Sequence, residues 1–456
     1  MIGRRLVQIG WAGGGLALLA FREYVAKVPP SDSKVPQRLR DALDRLGPTF
    51  IKLGQALSLR HDVLPDAYLL ALRGLQEHAK PFASELVRKE IERELGRPIE
   101  AVFSTFELEP LAAASIAQVH SARLRDGTQV VVKVRRPDIR VCIDRDMRTL
   151  IRMIRVMETL VPGLARCQPV RLAEEIWVNL RRETDFRQEA RSNRRFVTVF
   201  KERTDIYIPP VIEDLCRDGV MVQVMSHGKS IDDPTLRPDG PRLAEVLVDF
   251  YLQQFFVTGL FHGDPHPGNL FVMEDGRLCF HDFGLVGFLD GQTRRNLAVF
   301  VQAFIVQDAS WMLDAAIDLK LIAAFPDRAP LTRGLEELLA DYVALPLKDW
   351  SVAEVFLRVA RLSGGNVMIP YQLVVLTRAL FLVECAIRTL DPQFNVLEKL
   401  IAKGDAAMRS LTQLHPQATA IARLKVEGAL TAQDLPALIA VWLHRVQQGA
   451  NVRCSA

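Results

Sequence analysis

The segment HGDPHPGNLFVMEDGRLCFHDFG, residues 262–284, restricts what this chain can fold into more than any other stretch. It holds three aspartates, three histidines and an asparagine among Pro and Gly. A core segment would not bury so many polar groups without partners. A purely solvated loop would not need Leu270, Phe271 and Val272 directly after Asn269. The pattern predicts a polar loop, a strand, a tight turn at Glu274, Asp275 and Gly276, a second strand, and a polar turn at Asp282, Phe283 and Gly284.

Phosphoryl transfer from ATP accounts for that spacing. In a kinase catalytic loop an aspartate orients the acceptor hydroxyl, and an asparagine five residues later holds magnesium. Here Asp264 and Asn269 are five apart (269 − 264), and Asp282, in a magnesium-binding Asp-Phe-Gly turn, follows Asp264 by 18 (282 − 264). An Asp-Phe-Gly alone is most often an ordinary turn; three groups at this spacing around a hairpin are specific. His262 and His266 read as hydrogen-bonding scaffold, because magnesium prefers oxygen ligands.

A kinase also needs a strand lysine for the α- and β-phosphates and a helix glutamate to position it. QVVVKV supplies Lys133 behind three valines. RRETDFRQEARSN offers Glu183, Asp185 and Glu189, expected on one helix, with Asp185 and Glu189 four apart on a shared face. Neither GxGxxG nor GxxxxGK[ST] occurs. The hairpin carries LAAASIAQVH instead, residues 111–120. Alanine restricts backbone angles that glycine leaves open, so a phosphate-covering loop of this kind should be stiff.

The chain has 456 residues, enough for two lobes and an extension. Apolar residues at 49% and charged ones at 25% exclude wholesale disorder. A net charge of +4 suits an anionic membrane surface or phosphate ligands and is too weak to argue nucleic acid. The cysteines, Cys142, Cys167, Cys216, Cys279, Cys385 and Cys454, form no CxxC pair and read as reduced thiols. Leu6 to Phe21 is a run of 16 uncharged residues between Arg4, Arg5 and Arg22, Lys27. That is short for a spanning helix of about 20 residues. A secretory signal is disfavoured by the absence of a clear small-x-small cleavage site. A membrane-associating helix and a surface helix docked on the protein both stay open.

Four regions follow: residues 1–28, that N-terminal helix; 29–101, a helical extension with Leu46, Phe50, Leu53 and Leu57 on one stripe; 102–226, a small sheet lobe with inserted helices; 227–456, a helical lobe with the catalytic loop. The last is expected to stay helical to about residue 450, broken at Pro326, Pro346, Pro370 and Pro392. The fold class is α+β: a bilobal protein-kinase-like fold with an antiparallel-sheet N-lobe, a large helical C-lobe and an N-terminal helical extension.

FIKLGQALSLRHDVLP (50–65), LAAASIAQVH, VVVKV, ETDFRQEA, HGDPHPGN and HDFG occur in an order that resembles the UbiB/AarF family of atypical kinases. The resemblance covers about residues 37–395 and includes the specific KxGQ motif at Lys52 and Gln55. It implies an ATP-binding, magnesium-dependent ATPase or unorthodox kinase that works at a membrane in isoprenoid-quinone biosynthesis. It implies Lys133 as the phosphate lysine, Glu189 as its partner, Asp264 as the catalytic aspartate, and Asn269 and Asp282 as magnesium ligands. Leu111, Ala112, Ala113, Ala114, Ser115, Ile116, Ala117, Gln118 and Val119 would line the nucleotide, and Lys52, Gln55, Glu183 and Asp185 would form a lid. The membrane surface and quinone precursors or quinone-biosynthesis proteins are the implied partners, with no nucleic acid. The implied location is the cytoplasmic side of the inner membrane, peripheral or N-terminally anchored, and otherwise the cytoplasm. The chain departs from the family pattern at Gln223 and Val224, at Gly263, and in lacking a terminal pair of hydrophobic spans. A nucleotide-binding pseudokinase scaffold and a small-molecule phosphotransferase of the aminoglycoside or choline kinase type are the alternatives.

Overall fold

The computed structural model describes residues 2–29, 32–60, 63–75, 81–161, 163–323, 327–343, 351–362, 368–396 and 399. The helical expectation for residues 401–450 and the breaks at Pro326 and Pro346 lie outside them. The chain divides into two compact units, Met1–Lys229 with Asn269–Leu285, and Ser230–Gly268 with Val286–Ala456. The hairpin of the opening motif therefore groups with the first unit, whereas a division at residue 226 assigns it to the later part.

The first unit opens with α1 (Ile2–Val25), α2 (Val35–Leu46), α3 (Pro48–Leu57), α4 (Asp66–Arg73), α5 (Ser84–Leu95) and α6 (Ile99–Val102). The expected stripe of Leu46, Phe50, Leu53 and Leu57 is split between two helices. Gly47 takes φ +90° and Pro48 starts a new helix, where its missing N–H costs nothing. Phe50 and Leu53 are buried, and Leu46 and Leu57 only half-buried.

Next come β1 (Phe103–Phe106), β2 (Ala112–Ala113), β3 (Ala117–Leu124), β4 (Gln129–Arg135), α7 (Ile139–Leu160), α8 (Pro169–Glu183), α9 (Phe186–Val199), β5 (Ile206–Tyr207), β6 (Val220–Val224) and β7 (Gly228–Ser230). An antiparallel sheet runs β1-β3-β4-β6, with β2 also on β3. Alternation places Val130, Val132 and Val134 on one face of β4, in a core with Val87 and Ile91 of α5. Lys133 therefore faces the other way, toward the side where Ala117, Phe186, Ala190 and Met221 pack.

Glu183, Asp185 and Glu189 do not share a helix, contrary to the sequence expectation. α8 ends at Glu183, and Asp185 caps α9 by accepting the Arg187 N–H at 3.1 Å. Aspartate and threonine compete with the helix by bonding to nearby backbone. Here Arg135 fixes the corner by donating to the Thr184 carbonyl at 2.8 Å.

α10 (Gly240–Leu252) and β8 (Leu260–His262) belong to the second unit; β9 (Leu270–Met273) and β10 (Leu278–Phe280) form the hairpin of the first. β11 (Val286–Phe288), α11 (Gly291–Ile305), α12 (Ala309–Asp318), α13 (Ala329–Val343), α14 (Val352–Arg361) and α15 (Tyr371–Leu390) complete the second unit. There β8 pairs antiparallel with β11. A side chain at Gly240 would put its Cβ 2.0 Å from the Leu390 carbonyl oxygen, so the start of α10 meets the end of α15 backbone to backbone.

Candidate active site

In the first unit, three charged side chains converge. Lys133 Nζ lies 2.9 and 2.8 Å from the two Glu189 carboxylate oxygens and 3.3 Å from Asp282 Oδ2. The ring centre of Phe186, one residue past the α9 cap, is 5.3 Å from the ammonium. Burial works against the charged lysine, but the carboxylates of Asp282 and Glu189 outweigh it and raise Lys133 above its ordinary pKa. Burial also lifts Glu189 above the usual carboxylate range, against the pull of Lys133 and helped by the Asp282 charge.

The hairpin delivers Asp282. β9 and β10 pair antiparallel around a turn in which Gly276 takes φ +82°. Asn269 immediately precedes β9, and its carbonyl accepts the His281 N–H at 2.9 Å. Asp282 itself adopts φ +53°, unusual for a residue with a side chain. Its Oδ1 accepts the Gly284 N–H at 3.0 Å, and a Cβ on Gly284 would come within 2.9 Å of that oxygen. Phe283 is buried, its ring 4.9 Å centre to centre from Phe196 of α9. The donor set offered by Asp282 and Asn269 is oxygen-rich, as magnesium requires, and few protein ligands suffice when phosphate supplies the rest. Among the described residues no cluster of three or more His, Cys, Asp or Glu side chains is arranged for a metal.

The alanine-rich segment is a tight hairpin. Ala112 and Ala113 pair with Val119 and Gln118, and the Ala114 N–H bonds to the Ala117 carbonyl at 2.8 Å. Arg136 braces it from behind: Nε donates to the Ser115 carbonyl at 3.1 Å, and its own N–H to the Ile116 carbonyl at 2.8 Å. Leu111 and Ala112 are exposed, whereas Ser115, Ala117 and Gln118 are buried. The Gln118 amide turns to the Phe82 carbonyl at 3.3 Å, and the Ser115 hydroxyl is buried without a hydrogen-bond partner.

The extension reaches the same region through α3. Lys52 Nζ lies 3.4 Å from Glu183 Oε2 at the end of α8. Gln55 does not follow it; its amide donates to the Leu75 carbonyl at 3.3 Å. Asp185 is engaged as the α9 cap. Arg60 adds a second tie to α8, 2.9 Å from Glu175. Gly54, inside the motif, is a packing residue: a Cβ there would meet Leu75 Cδ1 at 2.3 Å and Leu43 Cδ1 at 2.9 Å.

Asp264 belongs to the second unit, on the loop after β8. The loop backbone is held from α10 and the π-helical turn after it. The Gln254 Oε1 accepts the His262 N–H at 2.7 Å, and the Tyr251 hydroxyl donates to the His262 carbonyl at 3.2 Å. Burial first, and the Asp264 charge second, push Tyr251 well above its ordinary pKa. His262 is buried and its Nδ1 accepts the Asp264 N–H at 3.3 Å. Arg378 of α15 donates to Asp264 Oδ1 at 2.5 Å.

Residues 74–316 match the ABC1 atypical kinase-like domain, and residues 335–395 the UbiB helical domain. The chain is 34% identical over 423 residues to a Vibrio parahaemolyticus protein named "Probable protein kinase UbiB", covering 91% of this chain and 77% of that one. The protein of the same name from Vibrio cholerae is 33% identical over 432 residues, covering 92% and 79%. The chain belongs to the UbiB family of atypical kinases. A solved structure, that of Mycobacterium tuberculosis Rv3197 with erythromycin, is similar with a TM-score of 0.55 at 26% identity, covering 76% of this chain and 91% of that one. The α+β fold is accordingly kinase-like.

Against that family background, Arg136 lies outside the motifs, whereas Arg60, inside the 50–65 stretch, and Arg378, in the second unit, lie in family-like stretches that assigned them no role. Each acts through a partner remote in sequence, and an isolated arginine in a chain with 58 basic residues carries no signal. Gly54 could have been found, because a glycine costs about 1 kcal/mol inside a helix and so needs a packing reason.

Proposed function

We propose that this chain binds ATP with magnesium and hydrolyses it or transfers its terminal phosphoryl group, acting at a membrane surface in support of isoprenoid-quinone biosynthesis. The observation that carries the catalytic half is Lys133, held between Glu189 and Asp282. Lys133 would contact the α- and β-phosphates, with Glu189 fixing its direction. Asp282 and Asn269 would hold magnesium, which when bound neutralises charge on the β- and γ-phosphates. Asp264 would orient the attacking hydroxyl or water. The alanine hairpin, stiffened by Arg136, would limit how the phosphates can be approached. A scaffold without chemistry has no need of both Asp282 and the Lys133–Glu189 pair, which counts against that alternative.

ATP turnover by the purified protein, with and without liposomes and a quinone-head analogue, tests this reading. Asp282→Asn removes a carboxylate from the metal and should weaken magnesium-dependent ATP binding by several kcal/mol, on the order of 3. A calorimetric titration in which the variant binds Mg-ATP as well as wild type would overturn the assignment.

The membrane half rests on α1. Ile9 is buried, and Arg5 binds Asp146 at 2.6 Å and the Leu46 carbonyl at 2.7 Å, so the helix is docked on α7 and α2. Trp11, Leu18, Phe21 and Tyr24 nonetheless remain exposed, Trp11 and Tyr24 by 80% and 82%. No helix among the described residues is long and apolar enough to cross a membrane. An apolar helix face flanked by cations suits the plane of an anionic bilayer. A chain starting at Pro29 should lose co-sedimentation with anionic liposomes; equal co-sedimentation would assign membrane contact to another surface.

A further inference from the structure

We propose that Arg378 is the positioning residue of Asp264, which makes the helical segment after the kinase-like region part of the catalytic apparatus. The inference rests on the proposed role of Asp264. Arg378 lies at residue 378, within the UbiB helical domain match of 335–395 and outside the kinase-like match of 74–316. Its guanidinium donates to Asp264 Oδ1 at 2.5 Å, across 114 residues of sequence.

Both ends of this contact are anchored. α15 buries Leu373, Leu376, Ala379, Val383 and Ile387 around Arg378, so the helix cannot slide without opening its core. On the other side, Gln254 and Tyr251 hold the His262 backbone, and His262 holds the Asp264 N–H. These contacts fix where the Asp264 backbone lies, and the guanidinium fixes the side chain. A charge-assisted bond to one carboxylate oxygen sets the plane of the carboxylate and thereby the direction of the other. A group that orients a nucleophile loses rate quickly when it is free to rotate.

The arginine is not in a relaxed surface setting. Its Nε is buried with no hydrogen-bond partner, although the side chain as a whole is 27% exposed. Leaving a donor of a charged group unsatisfied is a cost that packing alone gives no reason to accept. Lysine would also be a poor replacement, because an ammonium lacks the planar fork that fixes a carboxylate plane.

The test is steady-state ATP turnover by the full chain carrying Arg378→Gln, Arg378→Lys, Asp264→Asn, or Asp264→Asn with Arg378→Gln, together with nucleotide titration and thermal melts. Arg378→Gln should lower kcat by about 10- to 100-fold while nucleotide affinity stays within about twofold, since loss of orientation acts on the chemical step. Arg378→Lys should fall between it and wild type. In the Asp264→Asn background, Arg378→Gln should add no further loss, because a positioning residue has nothing left to position. The same fold-loss in both backgrounds would overturn the proposal and make Arg378 an independent contact to substrate. Faster turnover by Arg378→Gln would also overturn it, making the contact inhibitory. If Arg378→Gln melts early, Arg378→Lys with unchanged kcat has the same force. A wild-type protein without ATP turnover removes the underlying reading as well. Inactive Asp264→Asn beside fully active Arg378→Gln removes this one alone.

Discussion

The first unit contains two lysine–glutamate pairs whose acidic partners are six residues apart (189 − 183), and they are not equivalent. Lys133 and Lys52 are covered to the same degree, 17% and 15% exposed. The glutamates differ: Glu189 is 6% exposed and Glu183 32%. The distances follow, 2.8 Å against 3.4 Å. In the inner pair a third charge, Asp282, lies 3.3 Å from the lysine. The helix break at Thr184 and Asp185 makes the difference, by turning Glu183 outward at the end of α8 while α9 carries Glu189 into the fold. The electrostatic strength of such a pair is therefore decided by how much water the acid retains. Without its lysine, Glu189 would be a buried, unpaired acid, which favours the protonated form. Glu183 can lose its own and be hydrated.

The largest effect should come from Lys133→Met. Removal of a preorganised cation from the phosphates costs on the order of 100- to 1000-fold in turnover. Removal of one partner of a buried pair costs stability too, about 3 kcal/mol or more near pH 8. That second loss should shrink toward pH 5. Burial raises the Glu189 pKa in the folded state, so the folded protein binds this proton more readily than the unfolded chain. Stability from the protonated acid is present below the unfolded value and is lost as pH rises through the folded one. Without Lys133, the acid must be neutral to stay buried, so the variant should be closest to wild type in acid. Denaturant unfolding of both proteins at pH 5 and pH 8 measures the difference. Equal losses at the two pH values would erase the distinction between the inner and outer pairs.

Much of this arrangement was legible in the sequence. The β-branched run around Lys133 marks a strand, and the two-residue period of a strand buries Val130, Val132 and Val134 and leaves the lysine on the opposite face. The hairpin between Asn269 and Asp282 is written in its turn residues, and the kinase-like fold and the family followed from motif order. The rest depends on contacts that no local pattern carries. Thr184 and Asp185 look compatible with one long helix until Arg135, on a strand 49 residues earlier, binds the Thr184 carbonyl. Gln55 looks like the neighbour of Lys52 on a helix face, yet the Leu75 carbonyl, 20 residues later, takes its amide. Arg378 pairs with an aspartate 114 residues away. Periodicity reports which face is apolar; it does not report which polar partner waits opposite.

A smaller effect is expected from Ala113→Gly, which loosens the hairpin near the inner pair and leaves both ion pairs intact. Backbone effects of this exchange run to about 1 kcal/mol, so the ratio of ADP to ATP affinity should change by roughly 2- to 5-fold. Arg136 still braces Ser115 and Ile116 from behind, which keeps the change from being larger. Calorimetric titration with each nucleotide gives the ratio. An unchanged ratio would mean that β2 does not sense the phosphates, and the comparison would then concern Lys133 and its carboxylates alone.

The smallest effect on stability belongs to Lys52→Ala. Glu183 is about one-third exposed and can be rehydrated, so the loss should stay within about 1 kcal/mol and should diminish with added salt. The extension will not detach, because Arg60 still holds Glu175, Arg5 still holds Asp146, and Gly54 still packs against Leu75 and Leu43. What changes is the freedom of α3 near the start of α9. If α3 acts as a lid over the phosphates, this loosening admits other acceptors. Autophosphorylation should then rise while support of quinone production in cells falls. A small stability loss with a clear rise in autophosphorylation would show that the outer pair restrains access, while the inner pair serves chemistry. Unchanged autophosphorylation with intact quinone production would leave the Lys52–Glu183 contact as a fastening of the fold, and the two pairs would differ in burial but not in kind of function.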